Sequence, residues 1–194
     1  MKTNENTKYS LNKIATGLIT SMLLFSNVAN ADEFASGAFS ESCFSYPAVA
    51  MTPYDQSINQ RLYRMTHERV YHANKEKGTI LLYGPVAPWN DIYGDGFQFS
   101  VSYIDPDGKG KKSSVKAELR FVGENGIKVV SKLNSNDYDY DPQYPNRVQT
   151  MSKPLYYDKL ENKKGFYVMR VYINRTSTKL TPKAFGYSLC SSIF

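Results

Sequence analysis

The feature that most constrains the fold of this chain is a repeated alternation of apolar and polar residues with a period of two. In residues 97–103 aromatic residues and valine alternate with serine and glutamine, and in residues 115–121 apolar residues alternate with charged ones. Such alternation is typical of a β-strand with one buried and one solvated face. The apolar run FYVMRVYIN at 166–174 predicts a central strand. The chain is therefore predicted to be all-β, an antiparallel β-sandwich of jelly-roll or immunoglobulin-like type with seven to nine strands.

Turn sequences separate these strands. Asp-Pro-Asp-Gly at 105–108 and Gly-Glu-Asn-Gly at 123–126 each predict a chain reversal that joins the flanking strands as a hairpin. The polar stretch 74–78 predicts a further hairpin, between strands at 69–73 and 79–86. No repeat or low-complexity tract follows the first 31 residues, so a single domain is expected after them.

The first 31 residues have the order of features typical of a secretory signal peptide. Lys2, Lys8 and Lys13 are followed by an apolar run at 14–25 and by Ala-Asn-Ala at 29–31. A run of this length is too short to span a bilayer, which needs about 20 apolar residues. We predict cleavage after residue 31 and export to the periplasm or the exterior, with no transmembrane span in the mature chain.

The charge of the chain argues against nucleic acid as a partner. The formal net charge is +6, and three of the 24 basic residues and one of the 18 acidic residues lie in the leader. The remainder, residues 32–194, is therefore only mildly basic. It has no dense basic stretch interleaved with aromatic residues, as a nucleic-acid-binding surface would require.

The chain contains two cysteines, Cys43 and Cys190, at the two ends of the predicted domain. In an exported protein such a pair is expected to form a disulfide. The alternatives are two unpaired buried thiols or, less favoured, a catalytic cysteine, for which no activating base is evident nearby.

Two strands and the first cysteine also resemble a group of small exported bacterial proteins of unknown activity. The strand at 79–86, TILLYGPV, is similar to one that ends Cys-Pro-Val in those proteins, although Gly84 stands in place of the cysteine. The segment 186–190, GYSLC, is similar to their closing strand, and Cys43 to their N-terminal cysteine. The resemblance implies a secreted β-sandwich and no particular activity.

Aromatic residues in two polar loops are the candidate ligand-binding residues. Exposed rings beside Asp and Asn suit a sugar-binding or protein-binding surface, because a ring packs on the apolar face of a ligand while polar neighbours bind its hydroxyls. The alternative is that these rings cover the ends of the sandwich. The candidates are Trp89 and Tyr93 in the first loop and Tyr138, Tyr140 and Tyr144 in the second.

The second loop also contains three alternating carboxylates, Asp137, Asp139 and Asp141, which make it a weak calcium candidate. Pro142 occupies the position where an EF-hand loop needs glycine, and Val148 the position of its bidentate glutamate. A solvated acidic loop with no cofactor or metal is the favoured interpretation, and a surface calcium site shared between loops remains open.

No catalytic motif is apparent. His67 and His72 are five residues apart, whereas a zinc-protease helix needs four, and no Gly-x-Ser-x-Gly sequence occurs. The sequence thus favours a non-catalytic binding module of the cell envelope or exterior, with a glycan or an envelope or extracellular protein as its partner. A secreted effector or toxin that acts on membranes or competing cells, and a hydrolase whose site only the fold would assemble, remain alternatives.

Overall fold

The computed structural model describes residues 43–54, 57, 61–73, 75–86, 96–156 and 165–192. The predicted signal peptide lies outside these residues, as do Trp89 and Tyr93. Eleven strands occur within the described part: β1 Cys43–Pro47, β2 Thr52–Pro53, β3 Tyr63–Met65, β4 Val70–His72, β5 Gly78–Pro85, β6 Gly96–Ile104, β7 Ser113–Gly123, β8 Gly126–Asn134, β9 Gln149–Tyr156, β10 Gly165–Arg175 and β11 Lys183–Ser192.

The strands form two antiparallel sheets, which confirms the predicted sandwich. One sheet has the order β3-β4-β11-β6-β9, with β1 also paired to β11, and contains six strands. The other has the order β2-β5-β10-β7-β8 and contains five. The strand count exceeds the predicted seven to nine because β1 to β4 are only two to five residues long, too short for an alternating pattern to be recognised.

The core consists of the side chains that alternate inward from both sheets. In β7 and β10 every second residue is buried, and β10 lies at the centre of its sheet as its apolar sequence predicts. Burying a large apolar side chain contributes about 1.5 to 3 kcal/mol, so these inner faces are the main source of stability. The largest fully buried apolar side chains include Phe97, Phe99, Tyr103, Ile80, Leu82, Leu119, Met151, Met169, Ile173 and Leu189.

The turns connect the strands differently from the sequence prediction in two of three cases. The turn at 123–126 forms the β7–β8 hairpin, with Gly123 opposite Gly126. The turn at 105–108 instead leads from β6 in the six-stranded sheet to β7 in the five-stranded sheet. The predicted hairpin around 74–78 was wrong, because β4 and β5 also lie in different sheets. An amphipathic strand can satisfy its buried face in either sheet, so the pattern alone does not fix its neighbour.

The close approach of the sheets explains Gly84. An added Cβ atom at this residue would lie 2.4 Å from the hydroxyl oxygen of Tyr187, a buried residue of the opposite sheet. The Tyr187 hydroxyl donates a hydrogen bond to the carbonyl oxygen of Pro85. Any side chain at residue 84 would therefore displace the ring that joins the two layers here.

A buried carboxylate holds the connection between β6 and β7. Asp105 is 3% exposed. Its Oδ1 accepts hydrogen bonds from the Ser113 hydroxyl at 2.5 Å and from the Asp107 amide at 3.2 Å. Its Oδ2 accepts one from the Ser135 hydroxyl at 2.6 Å. The carboxylate thus joins the start of β7 to the turn after β8, and these hydrogen bonds compensate for the burial of its charge.

We expect Asp105→Ala to lower the free energy of unfolding by about 2 kcal/mol, because it leaves buried hydroxyl and amide donors without an acceptor. Urea denaturation measures this loss. Asp139→Ala is the matched control: its carboxylate is fully exposed and its nearest cation, Lys109 Nζ, is 3.9 Å away. The control should change stability by less than about 0.5 kcal/mol. Equal effects of the two variants would contradict the role given to Asp105.

Candidate functional site

The outer face of the five-stranded sheet collects aromatic, charged and polar side chains from several strands. Strand register places Tyr83 of β5 opposite Arg170 of β10, Arg170 opposite Glu118 of β7, and Glu118 opposite Lys132 of β8. Tyr172 of β10 lies in the next row of the sheet. Because side chains alternate between the faces of a sheet, the residues that bury the core on one side present this second set on the other.

Two tyrosine rings on this face are held by an arginine. The Arg170 guanidinium carbon lies 5.0 Å from the ring centroid of Tyr83 and 5.1 Å from that of Tyr172. Both distances fit cation–π contact. Tyr54, which follows β2 and is 47% exposed, extends the set, with its ring centroid 5.9 Å from that of Tyr83. These contacts restrict the rings, so little side-chain entropy remains to be lost when a ligand packs on them.

A hydrogen-bonded carboxylate lies beside Tyr172. Glu118 Oε2 accepts hydrogen bonds from Arg120 Nε at 2.8 Å and from the Tyr172 hydroxyl at 3.0 Å. Lys132 Nζ is 3.7 Å from Glu118 Oε1. Burial by itself would raise the pKa of Glu118, but the hydrogen bonds from Arg120 and Tyr172 and the charges of Arg120 and Lys132 outweigh it and lower that pKa. Glu118 is therefore ionised at neutral pH.

A groove of about 670 Å³ runs along the same face beside Tyr172. At its end the Thr79 hydroxyl donates a hydrogen bond of 2.7 Å to Asn174 Oδ1, and Asn174 Nδ2 donates one of 3.0 Å to the Ser114 hydroxyl. The groove therefore combines one aromatic ring, that of Tyr172, with fixed hydrogen-bond donors and acceptors. Its lining residues are Thr79, Lys116, Ala117, Glu118, Lys132, Leu133, Asn134, Asp137, Tyr172 and Asn174.

The three loop tyrosines predicted to bind ligand have different surroundings. The Tyr138 ring packs against the core, and its hydroxyl donates a hydrogen bond of 2.6 Å to the Ser152 carbonyl oxygen. The Tyr140 ring covers Gly108, and its hydroxyl donates one of 2.9 Å to the Pro106 carbonyl oxygen. Tyr144 is 59% exposed. A ligand-binding role for these rings, and for Trp89 and Tyr93, stays a prediction.

The three aspartates of the candidate calcium loop have separate surroundings. Asp137 is exposed and lines the groove, and Asp139 is exposed beside Lys109. Asp141 Oδ1 accepts a hydrogen bond of 2.9 Å from the backbone N–H of Gln143. Among the residues that the structure describes, no group of three His, Cys, Asp or Glu side chains is placed to hold a metal ion. Calcium binding here stays a prediction.

The two histidines occupy opposite environments. His67 is exposed in the turn between β3 and β4, whereas His72 in β4 is 1% exposed. The His72 Nε2 atom lies 3.0 Å from the carbonyl oxygen of Gly78, so the ring donates from this nitrogen. Burial, followed by the charge of Arg175, lowers the pKa of His72 to about 4 despite the hydrogen bond to Gly78, which raises it. His72 is therefore a neutral core residue.

The sheet-face residues were not among the candidates selected from the sequence. The charged positions 116, 118 and 120 were recognised only as one solvated side of a strand. The sequence signal that could have indicated them is the presence of tyrosine or arginine at the outward positions of otherwise apolar strands. These residues are Tyr83 in β5 and Arg170 and Tyr172 in β10. Aromatic residues are also common on strands for packing reasons alone, so this signal becomes specific only when the fold brings the residues together.

No protein-family model matches the chain, and no curated protein matches it in sequence. Among solved structures, the CBM36-1 domain of a multidomain xylanase from the hindgut metagenome of Trinervitermes trinervoides is similar at a TM-score of 0.42 and 8% identity, over 79% of this chain and 99% of that one. The xylan-binding module CBM15 is similar at a TM-score of 0.41 and 10% identity, over 68% of this chain and 82% of the module. The Stig cyclase Fisc from Fischerella sp. TAU is similar at a TM-score of 0.40 and 12% identity, over 65% of this chain and 64% of the cyclase.

Within the described residues, no helix is both long and apolar enough to cross a bilayer.

Proposed function

We propose that this chain is an exported, non-catalytic module that binds carbohydrate on the outer face of its five-stranded sheet. The observation that carries the proposal is the pair of rings, Tyr83 and Tyr172, fixed by Arg170 on one sheet face, where Tyr172 lines a groove with polar groups. A sugar ring packs its C–H face against an aromatic ring, and its hydroxyls bind neighbouring amide, hydroxyl and carboxylate groups. Asn174 and Thr79 supply such groups within the groove.

The ionised state of the Glu118 carboxylate favours binding over hydrolysis by this residue. Glycoside hydrolysis needs a carboxylic acid that keeps its proton near neutral pH, so its pKa must be raised. The pKa of Glu118 is lowered instead, and Arg120 and Tyr172 already occupy its Oε2. Glu118 is therefore suited to fix the Tyr172 hydroxyl and not to protonate a leaving group.

The Cys43–Cys190 disulfide supports export. The two residues are register partners in the β1–β11 pair, with Cα atoms 4.0 Å apart. Disulfides of this kind persist in oxidising compartments and are rare in the cytosol. Export by cleavage of residues 1–31 is the route that the sequence indicates.

We expect Tyr172→Ala to weaken binding to a glycan selected on an array by about tenfold or more. Removing a central aromatic side chain from a binding surface commonly costs that much or more. Isothermal titration calorimetry of the secreted domain measures the affinity. Tyr172→Phe keeps the ring, and we expect it to retain most of the affinity.

The matched control is Tyr156→Ala in β9. This tyrosine is 44% exposed and belongs to the other sheet, so its loss should leave the affinity unchanged. If no glycan binds, or if both alanine variants weaken binding equally, the proposed function is wrong. Thermal melts of each variant separate loss of binding from loss of folding.

The aromatic loops are a second proposal for the location of the same activity. Tyr144 is exposed, as a ligand-binding ring must be. If Tyr144→Ala or Trp89→Ala removes binding while Tyr172→Ala does not, the ligand is bound by the loops and the sheet-face site is wrong.

A further inference from the structure

From the charges around the groove we infer that its ligand is an acidic sugar chain, one that carries carboxylate or sulfate groups, held by Lys116 and Lys132. This inference rests on the proposed function and specifies its ligand class. It names the two groove lysines as the residues that distinguish acidic from neutral sugars.

The groove and its immediate surroundings carry a positive excess. Four basic side chains, those of Lys116, Lys132, Arg120 and Arg170, stand beside the carboxylates of Glu118 and Asp137. These four cations outnumber the two carboxylates, so the surroundings of the groove keep an excess of positive charge. The potential that a ligand meets along β7 and β8 is therefore positive, which raises the local concentration of anions.

Glu118 does not cancel this excess. Its Oε2 is bonded to Arg120 and to Tyr172, and its side chain is 16% exposed. Lys132 Nζ lies 3.7 Å from the other oxygen, beyond hydrogen-bonding distance, and its side chain is 69% exposed. Lys132 thus forms a long ion pair with Glu118 but no hydrogen bond to it, so the ammonium hydrogens of Lys132 can be donated to a ligand.

Lys116 is the second available cation. Strand register places it between Tyr172 of β10 and Asn134 of β8. Its side chain is exposed and lines the groove. A sugar packed on the Tyr172 ring would thus lie beside Lys116, which is directly opposite Tyr172 in the sheet. Lys132 lies on the next strand, β8, opposite Glu118. Two ammonium groups near one ring suit successive acidic sugars, because each charge-assisted hydrogen bond contributes more than a neutral one.

The test compares acidic polymers with neutral partners of the same backbone. Calorimetry or affinity electrophoresis would use polygalacturonate against its methyl ester, and dextran sulfate against dextran. We expect the wild-type domain to bind at least one acidic polymer about tenfold or more tightly than its neutral partner, with an affinity that falls as salt rises. The two pairs distinguish carboxylate from sulfate as the recognised group.

The double variant Lys116→Gln/Lys132→Gln should lose that preference for the acidic polymer, with its melting temperature retained. Lys153→Gln/Lys179→Gln is the matched control, because it removes the same charge from exposed lysines outside the groove, and it should keep the preference. Equal loss in both double variants would show attraction by net charge and would overturn the inference.

Two further results separate this inference from the proposed function. Equal binding of acidic and neutral polymers, lost on Tyr172→Ala, would overturn the inference and leave the sugar-binding site intact. Binding of none of the four polymers would overturn the inference, and a glycan array without hits would then overturn the proposed function as well. Binding of anionic vesicles through the same two lysines, without binding of any polymer, would assign the groove to lipid headgroups.

Discussion

The variant Cys43→Ser/Cys190→Ser is expected to unfold with a free energy about 4 to 5 kcal/mol lower than that of the wild-type domain. The disulfide closes a loop of 147 residues. In the chain-entropy model a cross-link over such a length restricts the unfolded chain by about 5 kcal/mol at 25 °C. Since single domains are stable by about 5 to 15 kcal/mol in total, the variant should be close to the limit of folding at body temperature.

The position of the cross-link in the fold adds to this expectation. Among the described residues, β1 pairs with β11 alone, through five register pairs from Cys43–Cys190 to Pro47–Gly186. The Phe44 and Tyr46 side chains also pack against the core. Without the disulfide, this five-residue strand keeps those contacts but loses its covalent link to β11. Guanidinium denaturation of the wild type with and without a reducing agent provides the same comparison without a substitution.

Ser45→Ala/Ser188→Ala is the matched control for the disulfide variant. These two serines are register partners in the same strand pair, so the control changes the pair without removing the cross-link. It should cost less than about 1 kcal/mol. A loss below about 1 kcal/mol in the cysteine variant, or an equal loss in both, would contradict a stabilising role of the disulfide.

Strand identity could be predicted from the sequence because it depends on local periodicity. β6, β7 and β10 each bury alternate residues, and the sequence shows this directly. Strand partners could not be predicted, because the same amphipathic strand fits either layer. The crossover after β6 is selected by Asp105, whose hydroxyl donors lie 8 and 30 residues further along the chain.

The site was missed for a related reason. Its charged row consists of Arg170, Glu118 and Lys132, which come from three strands and meet only through register. No spacing in the sequence brings them together, whereas the loop tyrosines are adjacent in sequence and attract notice. In a loop sequence, a tyrosine that would bind ligand looks the same as one whose hydroxyl donates to a carbonyl oxygen elsewhere in the domain, as Tyr138 donates to Ser152 and Tyr140 to Pro106. In a strand, the alternation of side chains shows from the sequence which residues face outward. A loop has no such periodicity, so the orientation of its side chains cannot be predicted in this way.

The fold and the proposed site depend on each other through β10. Its inward residues Met169, Val171 and Ile173 are buried in the core, and its outward residues Arg170 and Tyr172 form the centre of the site. A central strand is held by neighbours on both edges, so it is among the least mobile parts of a sheet. A site built on it is more rigid than one built on a loop, and rigid sites lose less entropy on binding.

Acidification from pH 6.5 to pH 4 is expected to cost the domain about 3 kcal/mol of stability through His72 alone. Above pH 6.5 the imidazole is neutral in both the folded and the unfolded chain, so it adds no pH dependence. Below that value the unfolded chain takes up a proton, while the folded chain does not until its lowered pKa of about 4. The unfolded state then binds more protons, and stability falls by about 1.4 kcal/mol for each pH unit between these two values.

This proton linkage arises because the atom that would take up the second proton, Nδ1 of His72, is buried. Nε2 already donates to the Gly78 carbonyl oxygen, so protonation adds a hydrogen to Nδ1. Nδ1 is buried and has no hydrogen-bond partner among the described residues, and the charge of Arg175 lies nearby. A buried cation without an acceptor is strongly unfavourable, so the folded protein keeps the ring neutral.

Urea denaturation at several pH values measures this contribution. His72→Gln keeps a donor toward Gly78 but does not titrate, so its stability should fall less steeply between pH 6.5 and 4, by a slope corresponding to about one proton. His67→Gln is the control, because His67 is exposed, and it should retain the wild-type slope. A wild-type slope in His72→Gln would show that other groups, and not this buried ring, set the acid sensitivity of the fold.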